Sequence, residues 1–414
     1  MIKQYYGIAA SVCLLGLFPV FFLKVLQVVL LLMLIGLVFA FRRIDRAVFK
    51  QLLTWRYIVF AQFYIYFFLN AAFYPVKEGV WENARAVALE SWSTGLLCLI
   101  ILALWLQVQN RADVKRALIS WLPIGLTISF LTATIIYLSG AQGPRVELFT
   151  PTSLAPPFWF LVLTMTSFAW FFEMSTGHKV WRLCLFFMAG IMVIYGGARL
   201  VMLAWILCAM SLAVWFYIRS ARANRPKVLM GTTLAMAFGM GGVFLVDALA
   251  GGPLVGRVVI LYQAVLNGDS TGSQFLRLRI WDAALTVIAD NPTLGIGKAN
   301  ERIALRQELE WDRWLRAHQT YLSYLIAGGI PALMSGLVMQ SSAVTFLNRA
   351  NRSALFPAFL GLGVVLTLNC LTDSIFQSAV AVQIFMLITL LFLRASDAGQ
   401  PTLVPQKHIS PAIM

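Results

Sequence analysis

One histidine and a small set of arginines are the residues of this sequence best equipped to do chemistry. Of the three histidines, His178 and His408 fall, by the charge pattern described below, on the face opposite His318. Imidazole suits proton transfer near neutral pH, so His318 is the candidate general base. Arg199 follows Tyr195-Gly196-Gly197-Ala198. The two glycines permit a tight turn there, and the next helix would present its positive dipole end. Arg277 and Arg279 lie two apart, and so on different faces of a helix; only one is expected to meet a given ligand. Guanidinium binds phosphate bidentately, so Arg199, Arg279 and a helix N-terminus would form a diphosphate clamp. Arg85 and Arg145 are further cations on the same face. No Asp-x-Asp pair, His/Cys cluster or glycine-rich phosphate loop followed by Lys joins them, so neither a metal site nor a cofactor is expected. A ligand with a diphosphate head at the membrane surface and a long apolar tail between helices would use these parts.

The elements that must position these residues are apolar helices. Hydrophobic residues make up 60% of the 414 and charged residues 12%, with a mean hydropathy of +0.81. Soluble domains carry about a quarter charged residues, so the chain reads as an all-α integral membrane protein. Period-two alternation that would indicate a membrane barrel is absent. About 12 transmembrane helices are expected, at roughly 5–23, 25–41, 53–73, 92–109, 117–139, 155–173, 181–197, 200–218, 228–249, 319–346, 354–371 and 375–393. The first run continues through Pro19 and Lys24 into the second with no cleavage site, which marks a retained span. The five cysteines all fall inside apolar runs, as small buried hydrophobes.

The net charge of +15 would suggest nucleic acid in a soluble protein, but its distribution points to orientation in a bilayer. Most of the 32 basic residues cluster at alternate helix ends, among them Arg42, Arg43, Arg46, Lys50, Arg111, Lys115, Arg116, Arg219, Arg222 and Arg225. The short loops of the opposite face carry only Lys24, Lys77, Arg85, Arg145 and Arg199. Both termini are therefore expected in the cytoplasm. The chain then divides into helices 1–9 over 1–249, an external loop over 250–317, helices 10–12 over 318–394 and a cytoplasmic tail over 395–414. Within the large loop, between spans 9 and 10, the pattern predicts two helices. One covers about 273–289 and is stopped by Pro292; the other runs from an Asn300 cap to about Arg316. The second has an apolar side of Ile303, Trp311, Trp314 and Leu315, expected to rest on the membrane interface.

In order and spacing these residues resemble the O-antigen ligase/polymerase superfamily of bacterial envelope glycosyltransferases. The resemblance runs from about 190 to 335. It rests on Arg279-x-Trp281, Asn291-Pro292-x-x-Gly295-x-Gly297, and His318-Gln319-x-Tyr321-Leu322 with Gly328 or Gly329 beyond; Gly197-Ala198-Arg199 lies upstream. Gln319 stands where the family usually has Asn, and Ala198 where it has Ser. The resemblance implies metal-independent, inverting transfer of a glycan from undecaprenyl diphosphate at the periplasmic face of the inner membrane. His318, Arg279 and Arg199 would be catalytic, and Arg277, Trp281, Arg145, Arg85, Gln319 and Tyr321 would bind substrate. The short chain and compact loop favour a ligase, with lipid A–core as acceptor and membrane lipids as surroundings, over a polymerase. A transporter is the rival of another class. It would place ionisable residues near the bilayer midplane, where these spans have almost none.

Overall fold

The computed structural model of the 414-residue chain describes residues 2–40, 54–75, 84–139, 155–196, 199–249, 273–310, 317–350, 354–372, 376 and 379–396. Among these residues all regular structure is helical. Among the described residues five stretches are long and apolar enough to cross a membrane: Arg85–Val108, Arg111–Leu138, Leu200–Arg219, Thr320–Phe346 and Ala379–Ser396. The chain is an all-α membrane protein.

The first helix, α1 (Ile2–Ala40), is continuous where two spans were expected. Pro19 removes one backbone donor, but no glycine, asparagine or serine stands between Pro19 and Lys24 to reverse the chain, so the helix continues. The helices α2 (Trp55–Phe73) and α3 (Ala84–Val108) follow. The expected fifth span is two helices, α4 (Arg111–Ser120) and α5 (Leu122–Leu138), interrupted at Trp121. Pro123 opens the second, where its missing N–H costs nothing. Next come α6 (Ala155–Ser167), α7 (Thr176–Gly196), α8 (Arg199–Arg219) and α9 (Arg225–Leu249). Arg182 is fully buried in α7. It donates to the carbonyls of Ser167 and Ile119, which close the ends of α6 and α4.

The large loop supplies α10 (Ser273–Asp290), whose limits match the expected first loop helix. The second, α11 (Glu301–Glu308), is shorter than expected, and Trp311, Trp314 and Leu315 lie outside the described residues. The cap expected of Asn300 does not form. Its amide instead donates to Pro75 O at 2.8 Å and Ile296 O at 2.6 Å. Ile303, Ala304 and Leu305 are buried in protein, and Ala304 and Leu305 pack with Ile280, Ala283, Ala284 and Val287 of α10. The part of α11 formed by Ala304 and Leu305 therefore meets α10.

The expected tenth span is bent back on itself. α12 (Thr320–Ala350) breaks at Gly328 (φ −148°, ψ 17°) and Gly329 (φ 62°, ψ −154°). In a straight helix Tyr321 and Gln340, nineteen residues apart, would stand about 28 Å apart. Here Tyr321 Oη lies 3.1 Å from Gln340 Oε1. The Tyr324 ring likewise fills the space beside Gly336, 2.3 Å from where a Cβ would sit. A short arm (320–327) thus returns alongside a long arm (330–350). Gly329 suits the turn because its φ and ψ are open to glycine and to almost nothing else. The last helices are α13 (Phe356–Leu360), which continues through a π turn at Gly361–Val365 into α14 (Leu366–Thr372), and α15 (Ala379–Ser396).

Candidate active site

A break inside an apolar helix frees backbone groups that must be satisfied within the protein. Pro331 has no N–H to offer the carbonyl of Ala327, and the turn takes the amide of Ile330 away from Ile326. The Asn291–Gly297 turn supplies replacements. Ile296 N donates to Ile326 O at 2.8 Å, Gly297 N to Ala327 O at 2.9 Å, and Ile330 N to Pro292 O at 3.2 Å. Gly295 (φ 67°) has no room for a Cβ, which would stand 2.5 Å from Ile326 O. The Asn-Pro-x-x-Gly-x-Gly pattern is thus the mate of the Gly328–Gly329 break. Its spacing serves backbone pairing.

α2 supplies the rest of this docking. Gln62, Tyr66, Asn70 and Tyr74 recur every four residues and so line one face. Gln62 and Ser335 exchange bonds, with Ser335 Oγ 2.8 Å from Gln62 Oε1 and Gln62 Nε2 3.1 Å from Ser335 O. Tyr66 donates to Gly328 O at 2.6 Å. Asn70 is buried and bridges the break to the loop: its Nδ2 donates to Ala327 O, and its Oδ1 accepts from Lys298 N, both at 3.0 Å. Tyr74 donates to Leu294 O, and burial holds its phenol above the ordinary value, so it remains a donor. Behind this ladder Tyr324 packs 5.7 Å from Phe63 and 5.6 Å from Phe67, and Phe67 stacks on Trp92 of α3 at 4.8 Å. These ring contacts fix the short arm against the bundle.

His318 sits at the foot of that arm, half-buried, with φ 49°. A left-handed conformation costs an L-residue about 1 kcal/mol, and such strain persists only where the surroundings enforce it. The residues on either side do so. Ala317 is fully buried, and its carbonyl accepts Trp281 Nε1 at 2.9 Å. Gln319 caps α12: its side-chain oxygen accepts the amide of Leu322, and its carbonyl accepts Ser323 N at 3.1 Å. An amide at 319 thus has a local purpose, and the longer Gln still reaches the third residue of the helix.

The structure brings His318, Gln319, Trp281 and Tyr321 together around the start of the short arm. Arg277 stands one turn before Trp281, on the same side of α10, and is half-buried. Arg279 lies on the exposed face with Asp282 and Thr286. Arg85 donates to Ala71 O at 3.2 Å, at the junction of α2 and α3. Arg199 is the first residue of α8, which packs on α7, α9 and the α13–α14 segment. The described contacts do not join Arg85 to the histidine group; the side chain of Arg199 and the whole of Arg145 lie outside the described residues. No group of three metal-ligating side chains occurs among the described residues. Lys298, Asn300, Glu301 and the α2 ladder complete the docking and were not anticipated. The four-residue spacing of polar side chains along an apolar helix was the signal for the ladder.

Residues 183–335 match the family described as O-antigen ligase. No curated protein matches the chain. The matched segment begins in α7 and ends in the long arm of α12. It therefore contains the docked turn, the break and His318.

Proposed function

We propose, from the match of residues 183–335 to the O-antigen ligase family, that the chain is the ligase of that superfamily in a bacterial inner membrane. It moves O-antigen glycan from undecaprenyl diphosphate to lipid A–core at the periplasmic face. His318 takes the proton of the acceptor hydroxyl as its oxygen attacks the anomeric carbon. The bond from that carbon to the diphosphate breaks on the opposite side, with inversion, and undecaprenyl diphosphate leaves. Arginine offsets the charge that grows on the leaving group, without a metal. Arg277 is the arginine best placed for this, since it shares the Trp281 side of α10 and Trp281 holds the residue before His318. Arg279, on the exposed face of α10, and Arg199 attract the diphosphate, while Gln319 and Tyr321 shape the floor.

The observation that carries this reading is the strained His318, gripped on both sides at the foot of a helix arm that the loop holds in place. Expression in a strain lacking its own ligase tests it. Glycan on lipid A–core should reappear with the wild-type chain and not with His318→Ala. A ladder of glycan lengths restored only on undecaprenyl diphosphate would instead identify a polymerase.

A further inference from the structure

We infer that Glu301 is a positioning residue for His318, acting through Ser323; the inference rests on His318 being the base. Glu301 opens α11 and is only 3% exposed. One carboxylate oxygen lies 2.7 Å from Lys298 Nζ, and the other accepts Ser323 Oγ at 2.7 Å. A carboxylate taken out of water costs several kcal/mol unless its oxygens find partners, and here both do. A leucine at 301 would hold α11 against α12 without that cost. What the carboxylate adds is direction, since a hydrogen-bonded ion pair fixes one geometry where an apolar contact allows several.

The part so directed is the short arm. Two turns of helix have little stability of their own, so the arm lies where its fasteners put it. Ser323 is bonded through its own amide to the carbonyl of Gln319, next to His318. Lys298 is anchored in turn, with its amide held by Asn70 of α2. A continuous path therefore runs from α2 through Lys298, Glu301 and Ser323 to the capped turn at His318, while Trp281 grips Ala317 from the other side. Cutting the path at Glu301 or Ser323 frees the capped turn and lets His318 relax from its left-handed conformation.

The test uses purified full-length protein in nanodiscs with a lipid-linked glycan donor and a lipid A–core acceptor. Glu301→Gln keeps the shape and removes the charge, and Ser323→Ala removes the hydroxyl. Each should lower kcat by about tenfold, a loss in keeping with a small misplacement of a catalytic group, and leave KM within about twofold. The double variant should lose no more than either single one, because both cut the same link. Amide exchange over 317–323 should rise in both single variants and stay unchanged over 276–290. Wild-type kcat with unchanged exchange over 317–323, or losses that multiply in the double variant, would overturn the inference. His318→Ala is measured alongside. If it retains wild-type turnover, the base reading fails by itself, and the exchange data then decide the Glu301 link separately.

Discussion

At the scale of single residues, the informative feature is that His318 is strained and its neighbours are not free to relieve the strain. Ala317, held by Trp281, and Gln319, spent on a helix cap, make the segment rigid around a left-handed histidine. The arginines divide by helix face. Arg277 shares a side with Trp281, whereas Arg279 is exposed on another. Substituting Arg277 by Ala should therefore cost on the order of 10²-fold in kcat, the usual loss for a charge-stabilising donor. Arg279→Ala should act mainly on KM for the donor. Steady-state rates with varied donor distinguish these, and equal losses of kcat in both variants would contradict the division. The sequence alone could show that the two arginines face different ways, because that follows from helical periodicity. It could not show which one faces Trp281's partner, because that depends on how α10 rolls against α12, a matter of packing by Ile280, Ala283, Ala284 and Val287.

At the scale of elements, the central object is a helix folded back on itself and the turn that mates with it. Gly329→Ala would require a side chain at φ 62° with a Cβ 2.3 Å from Thr293 O, a strain of about 1–3 kcal/mol. Asn70→Leu would leave the Lys298 amide without its buried acceptor, a loss of about 1–3 kcal/mol. Both variants should lower the thermal midpoint in detergent and leave far-ultraviolet helicity at the wild-type level before melting; unchanged midpoints would mean that the docking contributes nothing. Hydropathy read 319–346 as one span because it senses composition and not path. The breakers Gly328, Gly329 and Pro331 were visible, but nothing local says that a helix reverses and does not merely kink. The α2 ladder was overlooked for a related reason. Gln62 and Asn70 are uncharged, and their worth lies in carbonyls some 260 residues away in sequence. By contrast α10 was legible to its ends, since Pro292 stops it and a polar cluster precedes it.

At the scale of the whole molecule, the apolar bundle serves as a frame that fixes the depth of one polar arm. The proposed topology, drawn from the charge asymmetry, has α10 outside and the α8–α9 connection inside. Cysteine introduced at exposed Asp290 should react with a membrane-impermeant maleimide in intact spheroplasts, and cysteine at exposed Asn224 only after permeabilisation. The reverse pattern would invert the topology. An interrupted helix is also a feature of transporters. Here, however, the carbonyls of Ile326, Ala327 and Gly328 accept hydrogen bonds from the protein itself, which favours an anchored site over a moving gate. The most direct measurement of the central claim is single-turnover transfer from a lipid-linked glycan to lipid A–core by purified wild-type and His318→Ala protein, with donor binding measured separately. The account predicts that His318→Ala binds donor within about twofold of wild type and transfers at least about 10²-fold more slowly, in keeping with loss of a general base. Transfer by His318→Ala at near the wild-type rate would contradict it.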